Sequence, residues 1–101
     1  MKKYKIEVLQ IAREDIREAR IWYNRRQKGL GKRLTADMHN TLQSISSNPK
    51  AFAIRYKDYR VANFDIFPYA AYFIVNDKIF TVYVATIMHT SRHPDTSRER
   101  L

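Results

Sequence analysis

The chain has no cysteine, two glycines and three prolines in 101 residues. Acids are scarce as well, with 10 Asp and Glu against 19 Lys and Arg. Without cysteine there are no disulfides and no thiolate metal sites, and a reducing compartment fits. With glycine confined to Gly29 and Gly31, there is no glycine-rich loop to cradle a phosphate. A GxSxG elbow and paired carboxylates are missing too, which removes the common hydrolase signatures. The basic start, Met1-Lys2-Lys3-Tyr4-Lys5-Ile6, is followed by no apolar h-region, and no run is long enough to span a bilayer. A cytoplasmic location, with no signal peptide and no membrane contact, is the expectation. Three scattered histidines make a poor metal set, so neither metal nor other cofactor is expected.

What is present is enough for one core. A hydrophobic fraction of 45% and an aromatic fraction of 13% favour folding over disorder, and the length suits one domain over residues 1–101. The formal net charge of +9 favours an anionic partner, either nucleic acid or an acidic protein.

Hydrophobic spacing gives the order of elements. Lys3 to Leu9 alternates, with Tyr4, Ile6 and Val8 on one side, as in a half-buried strand. Ala12, Ile16, Ala19 and Tyr23 then recur at helical spacing, predicting an amphipathic helix to about Arg26. Gly29 and Gly31 mark a tight break. Leu30, Leu34, Met38, Leu42 and Ile45 form the stripe of a second helix, which Asn48-Pro49 ends. Residues 51–56 read equally as a loop or a short edge strand. Tyr59 to Ile66 and Tyr69 to Val75 are β-rich, and Pro68 interrupts between them. Asn76-Asp77 predicts a two-residue hairpin turn before an apolar, β-branched strand from Ile79 to Met88. The result is an α+β fold of order β-α-α-β-β-β. An N-terminal strand and a helical hairpin pack on a mainly antiparallel sheet. Ile16, Ala19, Tyr23, Leu34, Met38 and Leu42 are the expected contacts of the hairpin with the sheet.

Three places carry candidate chemistry. Arg60, in a strand of Tyr59, Val61, Ala62 and Phe64, either reaches out to an anion or pairs with Asp58 or Asp65. His89 and Arg92 follow the last strand. They are either exposed polar residues at a strand end or a proton carrier beside a phosphate-binding guanidinium. Arg25, Arg26, Lys28, Lys32 and Arg33 surround the glycine turn with no acid among them. They either serve solubility and the helix dipole or form a docking knob for an anionic surface.

The element order, the helix start around Ala12 and Asp15-Ile16, and Gly29-Leu30-Gly31 are accompanied by several further signatures. These are Asn48-Pro49, Arg60, Phe67-Pro68-Tyr69 and the ending His89-x-x-Arg92-x-Pro94. Together, over almost the whole chain, they resemble the ParE/RelE superfamily of bacterial toxins from type II toxin–antitoxin (plasmid stabilisation) systems. The resemblance implies a small cytoplasmic toxin neutralised by a cognate, acidic, partly disordered antitoxin that wraps a C-terminal segment around it. RelE-like members cut messenger RNA at the ribosome without a metal; ParE-like members poison DNA gyrase. The Phe-Pro-Tyr step and the His-x-x-Arg ending look more like the ParE branch, which implies a gyrase inhibitor and not an enzyme. Ribonucleases of the superfamily usually use a Tyr, or a Glu with a His, and no Tyr occurs from His89 to Leu101. The alternatives are a metal-independent endoribonuclease using Arg60, His89 and Arg92, and a non-toxic basic nucleic-acid-binding module. Arg60, His89 and Arg92 are expected to converge on one surface, and the ribonuclease alternative depends on it.

Overall fold

A computed structural model describes residues 3–91. Its elements run β1 (Lys5–Val8), α1 (Gln10–Arg26), α2 (Leu30–Ser47), a 3-10 turn (Pro49–Ala51), β2 (Ile54–Tyr56), β3 (Tyr59–Asn63), β4 (Tyr69–Asn76) and β5 (Thr81–His89). The expected α+β order is present, and residues 51–56 resolve into the end of the turn and a short edge strand. One sheet has the order β1-β5-β4-β3-β2. Only the β1–β5 pair is parallel; the other three pairs are antiparallel.

The helical stripes fall where spacing places them. Ala12, Ile16 and Ala19 of α1, with Leu34, Met38 and Ile45 of α2, join Ala71, Phe73, Val82, Val84 and Ile87 of the sheet in one core. Tyr23 and Leu42 pack against that core while only half-buried. The glycines have separate causes. Gly29 holds a φ of +93°, the left-handed region that favours glycine at a helix boundary. Gly31 lies where the helices approach closely: a Cβ there would come within 2.8 Å of the Arg20 carbonyl oxygen. Its N–H donates to Asn24 Oδ1 at 2.9 Å, tying α2 to α1 across the turn.

Two expectations about the strands are corrected. The β-rich stretch to Ile66 leaves the sheet after Asn63. Asp37, buried on α2, accepts from the backbone N–H groups of Asp65, Ile66 and Phe67 at 3.2, 3.0 and 2.8 Å. A carboxylate offering several acceptor sites competes successfully with the ladder for those donors. The two-residue turn at Asn76-Asp77 is also wrong. Asn76 pairs with Thr81, so the connection spans four residues, 77–80, with Phe80 at a φ of +47°. Asn76 is thus the last strand residue, and its side chain accepts from the Lys78 N–H at 3.1 Å.

Candidate functional site

The unequal lengths of β1 and β5 create a cleft. β1 pairs Lys5 to Val8 with Thr81 to Val84 and then stops. The remainder of β5 therefore has no strand on that side, and α1 crosses there instead. Asp15 of α1 takes up the polar groups that β1 does not reach, accepting from Thr86 Oγ1 at 2.7 Å and from the Ile87 N–H at 3.0 Å. The register of β4 and β5 shifts beside this point, between Tyr72 and Phe73, where a bulge re-aims the end of the strand. The cleft left between α1 and the end of β5 measures about 470 Å³, and Glu18, Trp22, Tyr23, Tyr69 and His89 line it with Asp15.

His89 stands at the inner end of this cleft. Its Nδ1 accepts from the Ser91 N–H at 3.1 Å and lies 2.6 Å from Ser91 Oγ. An N–H donor on Nδ1 places the proton of the neutral ring on Nε2, leaving a donor as its free edge. Tyr69 meets the imidazole edge-on at 5.1 Å, and Tyr23 meets both Phe67 and Tyr69 edge-on, at 5.0 and 6.3 Å. The Phe67-Pro68-Tyr69 step is therefore the wall behind His89. The Pro68 carbonyl holds the strand end by accepting from the Thr90 N–H at 2.8 Å.

Arg60 belongs to a different place. It is opposite Phe73, whereas His89 is opposite Tyr69, so both lie on the helix-bearing face. They are four residues apart along β4 and on strands either side of it. At ~3.3 Å per residue and ~4.8 Å per strand spacing, their Cα atoms stand about 16 Å apart. The Arg60 guanidinium points to the turn after α2, where its Nη1 donates to the carbonyls of Phe52 at 2.7 Å and Lys50 at 3.3 Å. It makes an ion pair with neither Asp58 nor Asp65 among the described residues. Beside it, Asp77 receives Lys50 Nζ at 2.8 Å and the Tyr4 hydroxyl at 2.6 Å. Lys50, and then Tyr4, hold the Asp77 carboxyl below the usual carboxylate range, and Asp77 in turn raises both partners. The structure does not bring Arg60 and His89 together. Arg92 lies outside the described residues.

Arg25, Arg26, Lys28, Lys32 and Arg33 are all exposed around the inter-helix turn. Arg25 and Arg26 occupy the last turn of α1, where cations suit the helix dipole. The Arg26 guanidinium also rests over the Trp22 ring at 4.4 Å. Lys32 and Arg33 sit in the first turn of α2, where the dipole disfavours them, and no acid stands in that turn. Among the described residues no His, Asp and Glu side chains gather in a way that would hold a metal ion. No helix among them is long and apolar enough to cross a membrane.

Sequence reasoning missed the residues that shape the cleft. Glu18 reads as part of the polar face of α1, Trp22 as a widening of its apolar stripe, and Asp15 only as a mark of the helix start. The available signal was the spacing of Ile11, Asp15, Glu18 and Trp22 by four, three and four, a second stripe beside the buried one.

No family model matches this chain, and no curated protein does. Solved structures do resemble it. A chain of the chromosomal ParDE toxin–antitoxin system from P. aeruginosa aligns with a TM-score of 0.76 at 12% identity, over 88% of this chain and 98% of that one. The isolated E. coli RelE toxin gives 0.65 at 17% identity, over 95% and 94%. A chain of the RelBE2 toxin–antitoxin complex from Mycobacterium tuberculosis gives 0.61 at 18% identity, over 86% and 98%. At these identities the likeness is one of fold, and this chain shares the fold of those three solved chains.

Proposed function

We propose that this protein is the toxin of a type II toxin–antitoxin pair, that a cognate antitoxin neutralises it, and that it acts on a protein target, DNA gyrase, as ParE-like toxins do. The fold supports the toxin class. The observation favouring a protein target is the separation of Arg60 from His89, with Arg60 turned onto the carbonyls of Phe52 and Lys50. Cleavage of RNA by its own 2′-hydroxyl needs a base, an acid and phosphate-binding cations around one phosphate. Two of the three residues suited to that work stand about 16 Å apart. A basic turn with exposed Arg25, Lys28, Lys32 and Arg33 suits an anionic protein surface equally well.

The alternative, a ribosome-dependent ribonuclease, draws on the meeting of His89 with Tyr69 in the cleft. Against it, Asp15 and Glu18 line the same cleft and repel a phosphate. A third, non-toxic nucleic-acid-binding role rests on the +9 charge alone. Induced expression separates the three. The proposal requires growth arrest with altered DNA supercoiling and intact messenger RNA. Cleaved messenger RNA with normal supercoiling would establish the ribonuclease. Unimpaired growth, with no complex formed by the neighbouring gene's product, would remove the toxin reading.

A further inference from the structure

We propose that the cleft between α1 and the end of β5 receives an arginine side chain carried by an extended partner segment, with aliphatic residues flanking that arginine. The inference rests on the toxin–antitoxin reading only for the source of the segment, the antitoxin. The partner is expected to be acidic overall, as the +9 charge demands, but at this one place the complementarity is reversed. Glu18 supplies the accessible negative charge. Asp15, although committed to Thr86 and Ile87, adds its field from one turn earlier. Trp22 and Tyr69 supply aromatic surface, on which a planar guanidinium stacks better than an ammonium does. Arg26, over the Trp22 ring at 4.4 Å, shows the indole already accepting a guanidinium from within the chain.

The flanks are specified as well. Ile11 and Trp22 are 47% and 49% exposed at the two ends of the stripe that carries Asp15 and Glu18. An apolar–acidic–apolar stripe of eleven residues' span matches a segment with aliphatic, arginine and aliphatic side chains in succession. The cleft opens beside the part of β5 that lies beyond the last β1 pair, Val8 with Val84, on the outer side of α1.

The test uses the full chain, isotope-labelled, and two blocked tripeptides, acetyl-Leu-Arg-Leu-amide and its citrulline counterpart, in an NMR titration. The arginine peptide is expected to shift the Trp22 indole N–H and the amides of Ile87 and Ser91. Citrulline, of the same shape without the charge, should bind about tenfold more weakly. Glu18→Gln, at an exposed position, should weaken the arginine peptide about threefold without altering the spectrum of the free protein. Equal binding of both peptides, or shifts elsewhere, would overturn the proposal. So would peptide binding that appears only in Arg92→Gln, since the chain's own arginine would then be the occupant. Shifts of the same resonances with protein concentration alone would assign the cleft to a second copy and overturn it too. Because the titration needs no toxicity, a protein that binds the arginine peptide but leaves growth unaffected and forms no complex with the neighbouring gene's product would retain the cleft assignment and lose the toxin reading.

Discussion

Asp37 shows how much one side chain decides in this fold. It is 1% exposed and accepts three backbone N–H groups from the segment that leads into Pro68. That segment sets the position of Phe67 and Tyr69, and those rings in turn back His89. Asp37→Ala should therefore cost about 2–4 kcal/mol, since buried donors are stranded. Asp37→Asn should recover only part of this, because its amide offers a donor where acceptors are needed. Urea unfolding of the two variants checks both values, and a loss under 1 kcal/mol for Asp37→Ala would contradict the assigned role. Asp77 is a contrasting case at the surface. Its depressed carboxyl contributes stability that is present above the ordinary carboxylate range and is lost as pH falls through the lowered value. Lys50 and Tyr4 are both raised, so their contribution holds below their ordinary values and is lost as pH rises through the folded ones. Asp77→Asn should therefore flatten the low-pH flank of the melting temperature, below the ordinary carboxylate range, in low salt. An unchanged profile would show that the contact between the loop and Lys50 adds nothing.

Among the elements, the helical hairpin is the part whose sequence is most explicit. Its buried stripe is local, repeating every three or four residues, and needs no knowledge of what it packs against. The difference between Leu34 and Leu42 was not local. Both lie on the stripe, yet Leu34 is fully buried and Leu42 half-buried, because the sheet under α2 ends near β1. Leu34→Ala should cost roughly 3–5 kcal/mol and Leu42→Ala about 1–2, by thermal or urea unfolding. The turn gives a second comparison. Gly29→Ala has open space and should cost about 1 kcal/mol for its positive φ. Gly31→Ala drives a methyl toward the Arg20 carbonyl and should cost more than that, with the hairpin angle disturbed. The strands were less legible for a reason of the same kind. Whether residues 64–67 extend β3 depends on a carboxylate some thirty residues earlier, at Asp37, and β-propensity carries no trace of it. The cleft was invisible for a related cause. It exists because β1 is shorter than the strand it pairs with, and pairing length is a property of two segments together.

At the scale of the molecule, the described basic charge lies outside the core and part of it gathers at the inter-helix turn. Among the described residues the buried polar ones, Asp37, Thr41, Thr81 and Thr86, carry a single ionisable side chain, so the Lys and Arg described there lie outside the buried core. The basic turn is where this charge departs furthest from what the fold requires. Arg25 and Arg26 are favoured by the end of α1, but Lys32 and Arg33 stand against the dipole at the start of α2. Reversing three of these exposed cations, in Lys28→Glu with Lys32→Glu and Arg33→Glu, should leave stability within about 1 kcal/mol of the parent or raise it slightly. Under the proposed function the same variant should lose its growth arrest and bind its target more slowly, because long-range attraction governs encounter. The parent's association rate should fall steeply between low and physiological salt, and the variant's should be nearly flat. The two readouts must move apart for the interpretation to hold. If the triple variant unfolds, the cations serve the hairpin after all; if it folds and still arrests growth, the target meets another face of the molecule.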